Sequence, residues 1–229
     1  MTTATLILVL AAPPVQDCKD GIEVLEAFAQ VPGNEPVDVV VRAILGKNGS
    51  DAADMLKGKA AGDLIITEGE LRLQKDSPPA LYVRTVSEGH KDQYINNVLL
   101  VGRLAEKCRS TEKSAARSVG VNRYYRKQGE EKPVEETDWF RIRGFGYQKD
   151  KLEKADKGAL IEAVGVLSQR TSRTGEGYAE IKLRSLRTHQ GSKAGFGADP
   201  ASGKAAGYDH DAFTGNNDDE PMPSDWSSN

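Results

Sequence analysis

The chain has 229 residues, of which 28% are charged and 38% apolar, a mixture ordinary for one large or two small soluble globular domains. Two cysteines, Cys18 and Cys108, are too few for a disulfide scaffold and stand in no CxxC or Cys/His spacing, so the sequence offers no metal site or cofactor and implies free thiols in a reducing cytoplasm. The net charge of −3 hides an asymmetry: the balance is −5 over residues 1–90, +7 over 91–190 and −5 over 191–229, which points to a polyanion partner for the middle of the chain.

In chain order, "MTTATLILVLAAPP" has no positive segment ahead of its short apolar core and reads as a buried first strand rather than a signal peptide. Strands are expected at 6–10, 22–29 and 37–45, then a short helix, then strands at 63–73 and 80–86. After "HKDQ" (His90–Gln93), read as a linker, the order returns with strands at 97–104, 115–122 and 138–145, a short helix, and strands at 159–169 and 178–186. Two stretches repeat. "TLILVLAAP" (5–13) resembles "NVLLVGRLA" (97–105), and Leu56/Leu152, Gly62/Gly158 and Gly69/Gly165 each lie 96 positions apart within matching helix-then-strand patterns. Five strands with one helix between the third and fourth is the plan of an OB-fold. The expected fold class is therefore all-β with short helices: two OB-fold five-stranded barrels in tandem, at 1–89 and 94–188. Two unrelated barrels or one mixed α+β domain is the alternative. Residues 191–229 contain no Val, Ile or Leu, so 189–229 is expected to be a disordered Gly-rich linker and acidic tail, with the folded part ending near Leu186.

The chemistry concentrates in the second copy. In "TDWFRIRGFG" (137–146) strand alternation puts Trp139, Arg141, Arg143 and Phe145 on one face and Phe140 and Ile142 on the other. Rings offer stacking surfaces to unstacked bases and arginines track phosphates, the two needs of a single-strand binder. "VNRYYRKQGEEK" adds Arg123, Tyr124, Tyr125, Arg126 and Lys127 at a hairpin tip, and "SQRTSRTGEGYAEI" adds Arg170, Arg173 and Tyr178 around a Gly-Glu-Gly turn. Arg103 of "NNVLLVGRL" joins the cationic set. His90, His189 and His210 are isolated and receive no role. No nucleophile–base pair or phosphate loop is present to suggest an enzyme.

On "NNVLLVGRL", "TDWFRIRGFG", the helix ending in "DKG" and the "LIEAVGVL" strand, residues 94–188 resemble the bacterial single-stranded DNA-binding proteins. The resemblance implies base stacking by Trp139 and Phe145. It implies homo-oligomers with four barrels, here a homodimer of two-barrel chains or a tetramer, in the cytoplasm at the nucleoid. An aromatic common in the family's hairpin after "GVL" is absent from "SQRTS", where Tyr178 is the nearest substitute. The first copy, acidic and with only Phe28 and Tyr82 as rings, is expected to be a structural barrel. The tail "NNDDEPMPSDW" resembles the family's partner-binding tip, implying replication and repair partners for Asp218, Asp219, Glu220, Pro221, Met222, Pro223, Asp225 and Trp226, although "SSN" follows where the family ends in Pro-Phe. Two readings stay open: a general single-stranded DNA-binding protein of replication, recombination and repair, or an OB-fold adaptor with accessory nucleic-acid binding, RNA included.

Overall fold

The computed structural model describes residues 1–19, 21–46, 51–73, 77–125, 134–171, 175 and 177–189, without the side chains of 106 and 107. Period-two alternation of apolar side chains sets its strands. The first half holds β1 (Thr2–Leu10), β2 (Val15–Lys19), β3 (Ile22–Val31), β4 (Val37–Ile44), helix α1 (Ala52–Lys57), β5 (Leu64–Arg72) and β6 (Ala80–Glu88). The second half holds β7 (Asn96–Ser110), β8 (Ser114–Tyr125), β9 (Val134–Phe145), α2 (Tyr147–Lys154), β10 (Leu160–Thr171) and β11 (Gly177–His189).

Each half closes into a five-stranded barrel. In the first, β1 pairs with β3 and β5, β3 with β4, β5 with β6, and a short parallel contact between β4 and β6 completes the ring. In the second, β7, β8, β9, β11 and β10 close in the same order, with β9–β11 the parallel contact. This is the expected tandem of OB-type barrels. The barrels are not separate beads, because β1 and β7 pair antiparallel from Thr2↔Leu100 to Leu6↔Asn96 and merge everything into one eleven-stranded sheet. The segment read as a linker is a tight turn, with the Gln93 amide donating to the His90 carbonyl at 3.0 Å.

One strand escaped the sequence reading. β2 pairs along the first half of β3, and it is separate from β1 because Pro13 and Pro14 remove two ladder donors between them. The second copy has no proline there. Its β7 runs unbroken to Ser110 and turns from β10 to β8 through an irregularity between Leu104 and Cys108.

The repeated residues fall at equivalent points. Leu56 and Leu152 are fully buried and carry their helices' contact with the barrel interiors, which are lined by Leu6, Leu8 and Leu10 in one and Leu100, Phe140 and Ile142 in the other. Burying a side chain such as Phe140 contributes about 1.5–3 kcal/mol. Gly69 and Gly165 sit at matching register shifts, where a Cβ would lie 2.1 Å from the Tyr82 carbonyl oxygen and 2.4 Å from that of Lys182. The Arg117 guanidinium is buried and donates to the carbonyls of Ala105, Leu152 and Ala155, closing the C-terminal end of α2. Among the described residues no helix is long and apolar enough to cross a membrane.

Candidate nucleic-acid interface

Strand alternation in β9 works as expected on its inner side: Phe140 and Ile142 are buried, while Trp139, Arg141 and Phe145 are half-buried on the outer face. Opposite them on β8 stand Gly120, Ser118 and Ser114, so the large side chains rise above a low floor. The ring lies close over Gly120, where a Cβ would come to 3.2 Å from it and require Trp139 or Thr137 to shift by a few tenths of an ångström. Arg103 on β7 shares the same cross-strand row through Gly120, its guanidinium fixed by the Gly158 carbonyl at 2.9 Å.

The neighbouring strand β11 completes the face. The Arg141 guanidinium lies 4.6 Å from the centre of the Tyr178 ring, and the Lys182 ammonium 5.1 Å from the centre of Phe145. Two ring–cation pairs thus stand side by side, each offering a π surface and a positive charge. The Tyr178 hydroxyl oxygen is buried and has no hydrogen-bond partner among the described residues.

Two of the expected contacts have surroundings that strand alternation alone does not show. Arg143 is on the predicted face but not available at the surface: it is buried and grips the Glu180 carboxylate in a bidentate pair at 2.8 and 2.8 Å. The sequence shows an arginine but not that a carboxylate two residues past Tyr178 meets it from the next strand. Arg170 also reaches Glu180, at 3.3 Å, yet stays 39% exposed. The second concerns the hairpin, whose residues divide between its two faces. Tyr124 shares the Trp139 face, is 66% exposed and donates to Glu135 at 2.7 Å. Arg123 and Tyr125 turn the other way, where Arg123 stacks on Tyr125 and pairs with Glu136 and Asp138. That side faces a cleft between the barrels that includes Glu70 and Arg84. Burial there pushes the Asp138 carboxyl above its ordinary range, against the opposing pull of Arg123 and Arg72. Arg126, Lys127, Arg173 and the tail residues Asp218–Trp226 lie outside the described residues.

Lys182 was not singled out from the sequence. The signal was present, since it follows Tyr178 and Glu180 at strand period on one face of β11.

A comparison with curated proteins finds no match. Among solved structures, the chain is similar to the wild-type single-stranded DNA binding protein from Thermus aquaticus, with 18% identity, 86% of this chain and 97% of that one covered, and a TM-score of 0.59. It is similar also to a deletion mutant of the Thermus aquaticus protein, at 17% identity, 84% and 96% coverage and a TM-score of 0.58. At such identity the likeness is one of fold, a two-barrel architecture spanning nearly the whole described chain. The Single-strand binding protein family matches residues 95–188. That match spans the second barrel with its ring–cation face, so residues 95–188 are similar to the single-strand binding protein family.

Proposed function

We propose that the chain is a non-catalytic single-stranded DNA-binding protein that coats exposed strands in replication, recombination and repair. The observation that carries this reading is the pairing of Arg141 with Tyr178 and of Lys182 with Phe145 beside Trp139, on the outer face of a family-matched barrel. Stacking on such rings tolerates any base, so sequence preference is weak, and phosphate neutralisation makes affinity fall with salt. Residues 94–188 do the binding in this scheme, and 1–89 serve as a structural barrel. The test is a fluorescence titration with oligo-dT, the equivalent RNA and a duplex at two salt concentrations, in a Trp226→Phe background so that Trp139 is reported. Tight, salt-sensitive quenching by oligo-dT with weak duplex binding is expected; equal affinity for duplex sinks the reading.

The chain assembles, in this proposal, as a homodimer of four barrels. Support comes from the sheet surface over β10, β7, β1 and β5, where Leu99, Val101, Val164 and Ile66 point away from both cores and are half-buried apolar residues. Light scattering at the mass of a monomer is the outcome that excludes it. The acidic tail then recruits replication and repair proteins, at the nucleoid in the cytoplasm.

The adaptor reading draws on a different feature, the exposed Ile22, Phe28 and Ile44 of the first barrel. Deleting residues 218–229 separates the two: the leading proposal expects DNA binding retained and partner binding lost.

A further inference from the structure

We propose that Tyr147 is an additional base-stacking platform, carrying a bound single strand off the end of β9 and over the start of α2. This rests on the reading of the β9 outer face as a strand-binding floor. Tyr147 comes two residues after Phe145, and the chain bends between them at Gly146, whose φ of 49° and ψ of −126° suit only glycine. Gly144 tightens the bend, since a Cβ there would lie 2.7 Å from the backbone of Gln148. Two glycines therefore bring the first turn of α2 against the strand that bears Trp139 and Phe145.

The ring is then held in place without being covered. Lys151, one helical turn on, donates to the Leu186 carbonyl of β11 at 2.9 Å and sets its ammonium 4.6 Å from the Tyr147 ring centre. Gln148 makes a second tie to β11, donating to the Arg184 carbonyl at 3.2 Å. Yet Tyr147 remains 70% exposed, and the buried contact of α2 is Leu152. Core packing does not account for the ring. Its pairing with Lys151 instead repeats, past Gly146, the ring–cation pattern of Tyr178–Arg141 and Phe145–Lys182. A preordered ring beside a cation is the arrangement that stacks a base while a phosphate passes nearby.

The experiment compares the full chain with Tyr147→Ala and Tyr147→Phe for oligo-dT affinity across a salt series. Stacking predicts a loss of about 5-fold or more in Tyr147→Ala, near-wild-type affinity in Tyr147→Phe, and an unchanged salt slope in both. Wild-type affinity in Tyr147→Ala overturns the platform while leaving the floor intact. Equal losses in Ala and Phe variants overturn it as well, because the hydroxyl rather than the ring would then be the contact. Absence of oligo-dT binding by the unmodified chain removes the floor reading itself, and the platform with it. Tyr147 is 70% exposed, so its removal takes little from the core, and thermal unfolding of each variant checks that the fold is kept.

Discussion

The two barrels share a scaffold and differ on one surface. Their parallel closures, Arg42↔Tyr82 in the first and Arg143↔Lys182 in the second, set the equivalence of the outer faces. By that register Trp139 corresponds to Asp38, Arg141 to Val40 and Phe145 to Ile44, while the arginine at the third position persists as Arg42 and Arg143. Both arginines are buried and paired, but with carboxylates from opposite neighbours: Arg42 with Glu26 of β3 at 2.7 Å, and Arg143 with Glu180 of β11. The residue that looked like a phosphate contact is thus common to both barrels, including the one without the aromatic row. What distinguishes the outer face of the second barrel is the set around it. A buried ion pair kept in both barrels, with the surrounding positions exchanged, assigns the arginine to the sheet; ligand contact by the exposed residues is the part that belongs to the proposed function.

The largest expected effect concerns these ion pairs. Glu180→Ala leaves the buried Arg143 charge without its bidentate partner and should lower stability by about 3–5 kcal/mol in urea unfolding. Glu26→Ala should be destabilising too, and the Arg42 hydrogen bond to the Tyr82 hydroxyl at 3.1 Å should make the Glu26→Ala/Tyr82→Phe double variant worse than Glu26→Ala alone. No further loss in the double variant would show that the tyrosine does not support Arg42. Next come the faces themselves: Trp139→Ala or Phe145→Ala should weaken oligo-dT binding by about 1–3 kcal/mol each, whereas Ile44→Ala should leave it unchanged. A loss in Ile44→Ala would break the division between the barrels.

A smaller effect separates charge from stacking. Arg141→Ala should reduce the slope of log affinity against log salt by about 1, and Arg143→Gln, in a variant that still folds, should leave the slope alone. The smallest effect lies in the cleft between the barrels. Because burial raises the folded value of Asp138 above its ordinary 3.8, at pH values between the two the folded state holds a proton there that the unfolded chain has released. Its contribution to stability is present below the ordinary value and declines as pH rises through the raised folded value. Asp138→Asn should flatten that decline in a series of unfolding curves; an unaltered pH profile would mean that Asp138 is not the group titrating.

Much of the fold is legible in the sequence. Tandem barrels followed from period-two alternation and from the glycines and leucines 96 positions apart, because each of those residues meets a constraint that every copy of the barrel must satisfy. Trp139, Phe145 and Arg141 were readable as a face because alternation fixes sidedness along a strand. β2 was not read, since five residues after two prolines give little periodic signal. In the sequence Arg123 and Arg143 look like surface cations, because a linear pattern shows the arginine and not the carboxylate that folding brings to it.

The sequence by itself therefore determined which residues face in and which face out along each strand, since that depends only on local backbone geometry. Only the tertiary structure decided which outward charges remain available. Pairing between Arg143 and Glu180, between Arg123 and Asp138, and between β1 and β7 joins segments distant in the chain, and strand register rather than local pattern sets those partners.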